Sequence, residues 1–130
     1  MIYTGIDLIE IARFERTVAR WGERFLERVF TPAEIAVYRG RIESLAARWA
    51  AKEATAKLLG VGLRGIGAAT SGALDWREIE VLGDALGRPV LTLHGRAAER
   101  AGALGLGAPA ISLSHTREHA IASVVALASE

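Results

Sequence analysis

Three side chains have the types and spacing for phosphoryl chemistry: Asp7, Glu53 and Lys57. Asp7 interrupts the apolar, β-branched run from Ile2 to Ile9. A carboxylate there is costly unless it is paired or bound to a cation; the alternative is a strand-end Asp that faces solvent or caps the next helix. Glu53 and Lys57 stand four residues apart in Arg48-Trp49-Ala50-Ala51-Lys52-Glu53-Ala54-Thr55-Ala56-Lys57, hence on one helix face. A routine ion pair one helical turn apart would account for them. Trp49 and Ala46 lie on the same side, however, and the segment is rich in Ala and Leu, so this face is expected to pack inward. A buried carboxylate beside a buried ammonium suggests a metal ligand and a phosphate clamp. Magnesium takes one or two carboxylates plus substrate phosphates and water, a set that Asp7 and Glu53 could supply if they meet in space. Lys57 would then neutralise a phosphoryl group in transit.

Lys52 and Lys57 are the only lysines among sixteen basic residues, the other fourteen being arginine. Five of these, Arg13, Arg16, Arg20, Arg24 and Arg28, fall on one stripe of a helix. Beside it runs an apolar stripe of Phe14, Val18, Trp21, Phe25 and Val29. Such a charge stripe is either a solvated face or a docking surface for an acidic helix; nucleic acid is a competing acidic partner. Ser112-Leu113-Ser114-His115-Thr116-Arg117 places a histidine among hydroxyls at a strand end. It suits anion binding or proton transfer, or a turn whose hydroxyls satisfy their own backbone. No G-x-S-x-G elbow supports a hydrolytic serine, and no G-K-[ST] follows the glycines from Gly60 onward, so there is no P-loop.

The elements that must position these groups are legible from periodicity and caps. Ile2 to Ile9 reads as a buried strand, followed from Glu10 by a helix that Gly22 interrupts. Thr31-Pro32-Ala33-Glu34 is a capping box with proline at the first helical position. A longer helix is expected from Ser44 to Leu59, stopped by Gly60. Gly60, Gly62, Gly65, Gly67 and Gly72 mark a flexible connection. Strands are expected over Glu78 to Leu82 and Val90 to Leu93, a helix over Arg96 to Leu104, and two final strands over Ala110 to Ser114 and Ala120 to Leu127. Interleaved helices and strands make the class α+β or mixed α/β.

The chain has 130 residues, of which 51% are hydrophobic and 24% charged, so it is read as a single domain spanning 1–130. A chain of this size buries roughly two-thirds of its unfolded surface, so no staple is required. The absence of cysteine excludes disulfide scaffolds, thiolate metal sites and cysteine nucleophiles, and fits a reducing cytoplasm. The first residues lack the basic flank of a signal peptide, and the longest apolar run, Ala120 to Ala128, falls far short of the ~18 residues of a membrane span. A net charge of +1 leaves any electrostatic partner to local patches.

Taken together, the residues resemble a family. Gly5-Ile6-Asp7-Leu8-Ile9-Glu10-Ile11 with Arg13, Phe30-Thr31-Pro32-Ala33-Glu34, Arg48 to Ala54 followed by Lys57, Trp76 to Val81, Gly87-Arg88-Pro89 and Ser112 to Thr116 are similar, in order, to the blocks of holo-acyl-carrier-protein synthase, the short bacterial 4′-phosphopantetheinyl transferase. The resemblance implies an antiparallel-rich sheet packed against a long central helix. It also implies transfer of the 4′-phosphopantetheine arm of coenzyme A to a serine of apo acyl carrier protein, with release of adenosine 3′,5′-bisphosphate. Asp7 and Glu53 would hold Mg²⁺, Lys57 would steady the phosphate, and Glu53 or a water on the metal would take the serine proton. Arg48, Lys52, Gly60, Gly62, Arg88, Pro89, His115 and Thr116 would contact coenzyme A. Arg13, Arg20, Arg24, Phe25 and Arg28 would meet the acidic carrier protein. The family's usual homotrimer would share its sites between subunits, with His115 and Arg88 facing a neighbour's Asp7. No nucleic acid and no membrane are expected as partners. Trp49 departs from the phenylalanine expected at that place, and the stretch from Gly60 to Gly72 is longer and richer in Gly and Ala than expected. The rival readings are a coenzyme A or nucleotide-binding module without catalysis and, more distantly, a basic nucleic-acid-binding protein.

Overall fold

The computed structural model describes residues 1–65 and 72–129. The expectation for Gly67 lies outside the described residues. Strand β1 (Ile2–Glu10) runs directly into helix α1 (Ile11–Val29). After the capping-box turn come α2 (Pro32–Tyr38) and the long α3 (Ile42–Leu59), then a 3₁₀ turn at Trp76–Glu78, β2 (Ile79–Gly83), β3 (Pro89–Leu93), α4 (Gly95–Ala103), β4 (Ala110–His115) and β5 (His119–Leu127). The strands form two antiparallel sheets, one of three strands in the order β1-β5-β4 and one the hairpin β2-β3. In the register of the larger sheet Asp7 lies opposite Ala122, which lies opposite Leu113.

Helix α3 is the centre of the molecule, packed on β1 and β5 and touched by α1, α2 and β2. Its alanines 46, 47, 50, 51 and 54 are buried, so its backbone comes close to the sheet. The closest approach is at Gly5, where a Cβ would stand 1.9 Å from the carbonyl oxygen of Ala54. Only glycine fits there, two residues before Asp7. The helix begins at Ile42 instead of Ser44, since the Arg41 carbonyl already accepts the first helical bond from the Leu45 N–H at 3.0 Å. It ends as expected at Gly60.

Thr31 and Glu34 form the expected capping box, with bonds of 2.9 and 3.1 Å. Glu34 does more than cap. Its carboxylate is fully buried, accepts from the Val81 N–H at 2.8 Å and pairs with the fully buried ammonium of Lys52 at 2.8 Å. Lys52 also donates to the carbonyls of Ile79 and Trp76. This ion pair joins α2, α3 and β2. Burial pulls the Lys52 ammonium down from its ordinary value, and the Glu34 charge opposes that shift.

Two expectations change. Strand β1 is not buried on both faces: Ile2, Ile6 and Leu8 point away from α3 and are about 60% exposed. Helix α1 does not carry one straight apolar stripe through to Val29. Gly22, with φ 58° and ψ −138°, breaks it, so that Leu26 turns into the core while Trp21 stays outside, 57% exposed. A positive φ of this kind suits glycine, which has no Cβ to clash.

Candidate active site

Asp7 and Glu53 come from β1 and α3, and the packing of these elements brings them together. Burial, and next the neighbouring Asp7 charge, raise the Glu53 carboxyl from its ordinary 4.5 to about 7. Lys57 and Arg13 pull it the other way, so both stand within electrostatic reach of Glu53. Asp7 Oδ1 accepts from the Lys57 ammonium at 3.0 Å, and Lys57 also donates to the Ile6 carbonyl at 3.0 Å. The ion pair is thus between Lys57 and Asp7, across 50 residues, and not the one-turn pair with Glu53 that spacing allows. Lys57 is also exposed where a buried ammonium was expected. It is a surface cation tethered at the mouth of the site.

The other oxygen, Asp7 Oδ2, is buried and has no hydrogen-bond partner. A buried carboxylate oxygen without a donor leaves its desolvation uncompensated. A cation held between Asp7 and Glu53 would supply the missing partner and would remove the repulsion that raises Glu53. Among the described residues no group of three or more His, Asp or Glu side chains could hold a metal. Two carboxylates completed by phosphate and water are a set that a hard divalent ion accepts.

A second site opens elsewhere. A cavity of about 860 Å³ is lined by Tyr38, Arg41, Arg48, Arg88, Pro89 and Ser112, among others. The Arg48 guanidinium lies 3.6 Å from the centre of the Tyr38 ring, donates to the Tyr38 hydroxyl at 2.7 Å and fixes β2 through the Val81 carbonyl at 3.0 Å. Three guanidiniums, Arg41, Arg48 and Arg88, and one carboxylate, Asp84, thus line an open cleft with a net positive charge and the size for a phosphorylated nucleotide. Sequence reasoning found Arg48, Arg88 and Pro89 but missed Tyr38 and Arg41, which stand before the signature helix with no motif of their own.

The remaining expected residues divide. His115 and Thr116 are exposed at the β4–β5 turn, at the end of the strand whose Ser112 lines the cavity. Gly60 and Gly62 follow the end of α3 and are not among the residues lining that cavity. Lys52 is corrected: sealed in the core with its donors engaged, it has no surface with which to touch coenzyme A. Arg13, Arg20, Arg24 and Arg28 are exposed along α1 and Phe25 is half-buried, and Arg13 also faces Glu53.

The carboxylates and the nucleotide-sized cavity do not merge within one chain. On α3, Arg48 and Glu53 project about 140° apart at 100° per residue. In the sheet, Asp7 is on one edge strand and Ser112 on the other, with β5 between them.

Among the described residues no helix is long and apolar enough to cross a membrane. The family model of the 4′-phosphopantetheinyl transferase superfamily matches residues 3–124. The chain is 55% identical over 127 residues to the holo-[acyl-carrier-protein] synthase of Herpetosiphon aurantiacus, covering 98% of this chain and 99% of that protein. The holo-[acyl-carrier-protein] synthase of Helicobacter pylori in complex with coenzyme A superposes with a TM-score of 0.78 at 31% identity, over 98% of this chain and 100% of that one. The ACPS–CoA complex of Chronobacterium ammoniagenes gives 0.83 at 32% identity, over 100% and 99%. An α+β fold built on a central helix, a two-carboxylate site and near full-length similarity converge on one conclusion: this chain belongs to the holo-[acyl-carrier-protein] synthase family of 4′-phosphopantetheinyl transferases.

Proposed function

We propose that this chain transfers 4′-phosphopantetheine from coenzyme A to a serine of apo acyl carrier protein in a magnesium-dependent reaction. The observation that carries the reading is the meeting of Asp7 and Glu53 with one buried oxygen, Asp7 Oδ2, left unpartnered. Asp7 and Glu53 would hold the magnesium, which when bound supplies positive charge to the pyrophosphate oxygens. Lys57, exposed and anchored by Asp7, would neutralise charge on the same phosphates. The serine oxygen forms a bond to the β-phosphorus as the bond from that phosphorus to the bridging oxygen breaks. Adenosine 3′,5′-bisphosphate leaves with the bridging oxygen. Glu53, or a water on the metal, would accept the serine proton. Catalysis rests on positioning and charge neutralisation, as phosphoryl transfer requires.

The three-arginine cavity would take the nucleotide end of coenzyme A, with His115 and Thr116 at its margin. Because that cavity and the carboxylates open on different sides of α3, the complete site would form between copies of the chain. The exposed apolar outer face of the sheet, with Ile2, Ile6, Leu8 and Leu127, supports such self-association. A homotrimer acting in the cytoplasm, and serving the carrier proteins of fatty acid biosynthesis, is the assembly and setting that fit this reading.

Intact-mass spectrometry of apo acyl carrier protein incubated with the chain, coenzyme A and magnesium tests it directly. One added phosphopantetheine, lost with chelator, is expected. Coenzyme A binding without modification of any carrier protein would replace the enzyme by a binding module.

A further inference from the structure

Lys57 stands in the last turn of α3, so the negative end of that helix lies where the proposed function puts the coenzyme A pyrophosphate. The last carbonyls of a helix have no partners within it. Here Gly60, left-handed at φ 72° and ψ 29°, turns its N–H back to the carbonyls of Ala56 and Lys57, and Val61 donates to Ala56 at 3.1 Å. The Leu59 carbonyl is met from another element. Arg100 of α4, 41 residues further on, donates to it from Nε at 3.0 Å. Its Nη2 lies 3.7 Å from where a Cβ on Gly60 would stand, so the guanidinium covers the helix end. Ala97 and Ala101 are buried and seat α4 in the core, which holds Arg100 on a packed element. Among the described residues no carboxylate pairs with Arg100, so its charge is left to the carbonyls it meets.

We propose that Arg100 is a positioning residue for the coenzyme A phosphates: by donating to the Leu59 carbonyl it fixes the last turn of α3, which carries Lys57, and offsets the negative helix end that would otherwise repel a pyrophosphate held there. The inference rests on the proposed function for the place of the phosphates. No sequence motif marks Arg100, because only the packing of α4 brings it to α3. A cation at a helix C-terminus is a favourable arrangement in itself. What a nearby anionic ligand adds is a dependence of its affinity on that cation.

Isothermal titration with coenzyme A and magnesium reads this dependence without turnover. Arg100→Gln keeps a donor for the Leu59 carbonyl and removes the charge. It is expected to raise the Kd and KM for coenzyme A about two- to fivefold at low salt, with kcat, carrier-protein KM and melting temperature unchanged. The difference should fade at high salt, where screening replaces the missing cation. Arg100→Lys, which restores the charge, should return to near wild type. Dephospho-coenzyme A lacks the 3′-phosphate and keeps the pyrophosphate, so it should show the same ratio; a ratio confined to coenzyme A would overturn the placement at the pyrophosphate. Wild-type affinity in Arg100→Gln at low salt would overturn the charge role. So would a loss that Arg100→Lys does not recover and that follows a lower melting temperature, which would reduce Arg100 to a helix cap. A wild-type protein that binds coenzyme A and transfers nothing would overturn the enzyme and leave the role of Arg100 standing, whereas one that binds no coenzyme A overturns both.

Discussion

At the scale of single residues, Glu53 carries a conflict between stability and function. Its carboxyl is raised from an ordinary 4.5 to about 7 by burial and the Asp7 charge. The stability this group contributes is therefore fully present below about 4.5 and lost as pH rises through about 7. Glu53→Gln removes that loss. The metal-free variant is expected to melt higher than wild type at pH 8, with the gap closing at pH 5, and to lose transfer altogether; differential scanning fluorimetry at both pH values with intact-mass assays checks both. Equal melting points at pH 8 would mean that Glu53 is not strained by its neighbours. Lys52 behaves in the opposite sense. Lys52→Met leaves the Glu34 carboxylate alone in the core, at a cost of about 3–5 kcal/mol. Urea denaturation should show that loss, and Lys52→Met combined with Glu34→Gln should recover part of it, because no unpaired charge then stays in the core, while the single amide oxygen keeps only one of the two bonds from the Val81 and Thr31 N–H groups.

At the scale of elements, the contact between β1 and α3 decides whether Asp7 reaches Glu53. Gly5→Ala drives a methyl into the Ala54 carbonyl. It is expected to force β1 away from α3 and abolish transfer, with a large drop in thermal stability. Gly102→Ala on α4 meets nothing within 4 Å and is expected to stabilise by roughly 0.5–1 kcal/mol, the helix-propensity gain alone. Wild-type activity in Gly5→Ala would refute the close approach as the determinant of the site. Aromatic packing supports the same arrangement from the other side. Phe14 and Phe25 of α1 lie 5.0 and 5.6 Å from Trp49 of α3, contacts worth about 0.5–1.5 kcal/mol each beyond burial. They fix the start of α1, and with it Arg13, beside Glu53.

At the scale of the whole molecule, the carboxylates and the arginine cavity face different sides, and the proposal that a second copy completes the site makes its own prediction. Asp7→Ala and Arg88→Ala are each expected to be inactive alone. Unfolded together and refolded as a mixture, they should regain part of the wild-type rate, because some mixed sites hold both intact halves. No regain, with mixed oligomers confirmed by native mass spectrometry, would place the whole site within one chain. Ile6→Asp on the outer sheet face should yield a monomer by analytical ultracentrifugation and lose transfer with it. Sequence and structure contribute differently to these statements. The Thr31–Glu34 cap, the stop at Gly60, the break at Gly22 and the strand and helix order were legible because each depends on residues a few positions apart. So were Asp7, Glu53 and Lys57 as chemistry-bearing types, since a carboxylate in an apolar strand and lysines confined to one segment stand out against this composition. What only the tertiary structure decided is who meets whom. Lys57 pairs with Asp7 and not Glu53, Lys52 closes the core and not a ligand site, Trp21 faces solvent, and Arg41 and Tyr38 join Arg48 at a cavity. Helical spacing fixes neighbours on one element, whereas partners from distant segments are set by how the elements pack, by one glycine without a Cβ and another with a positive φ.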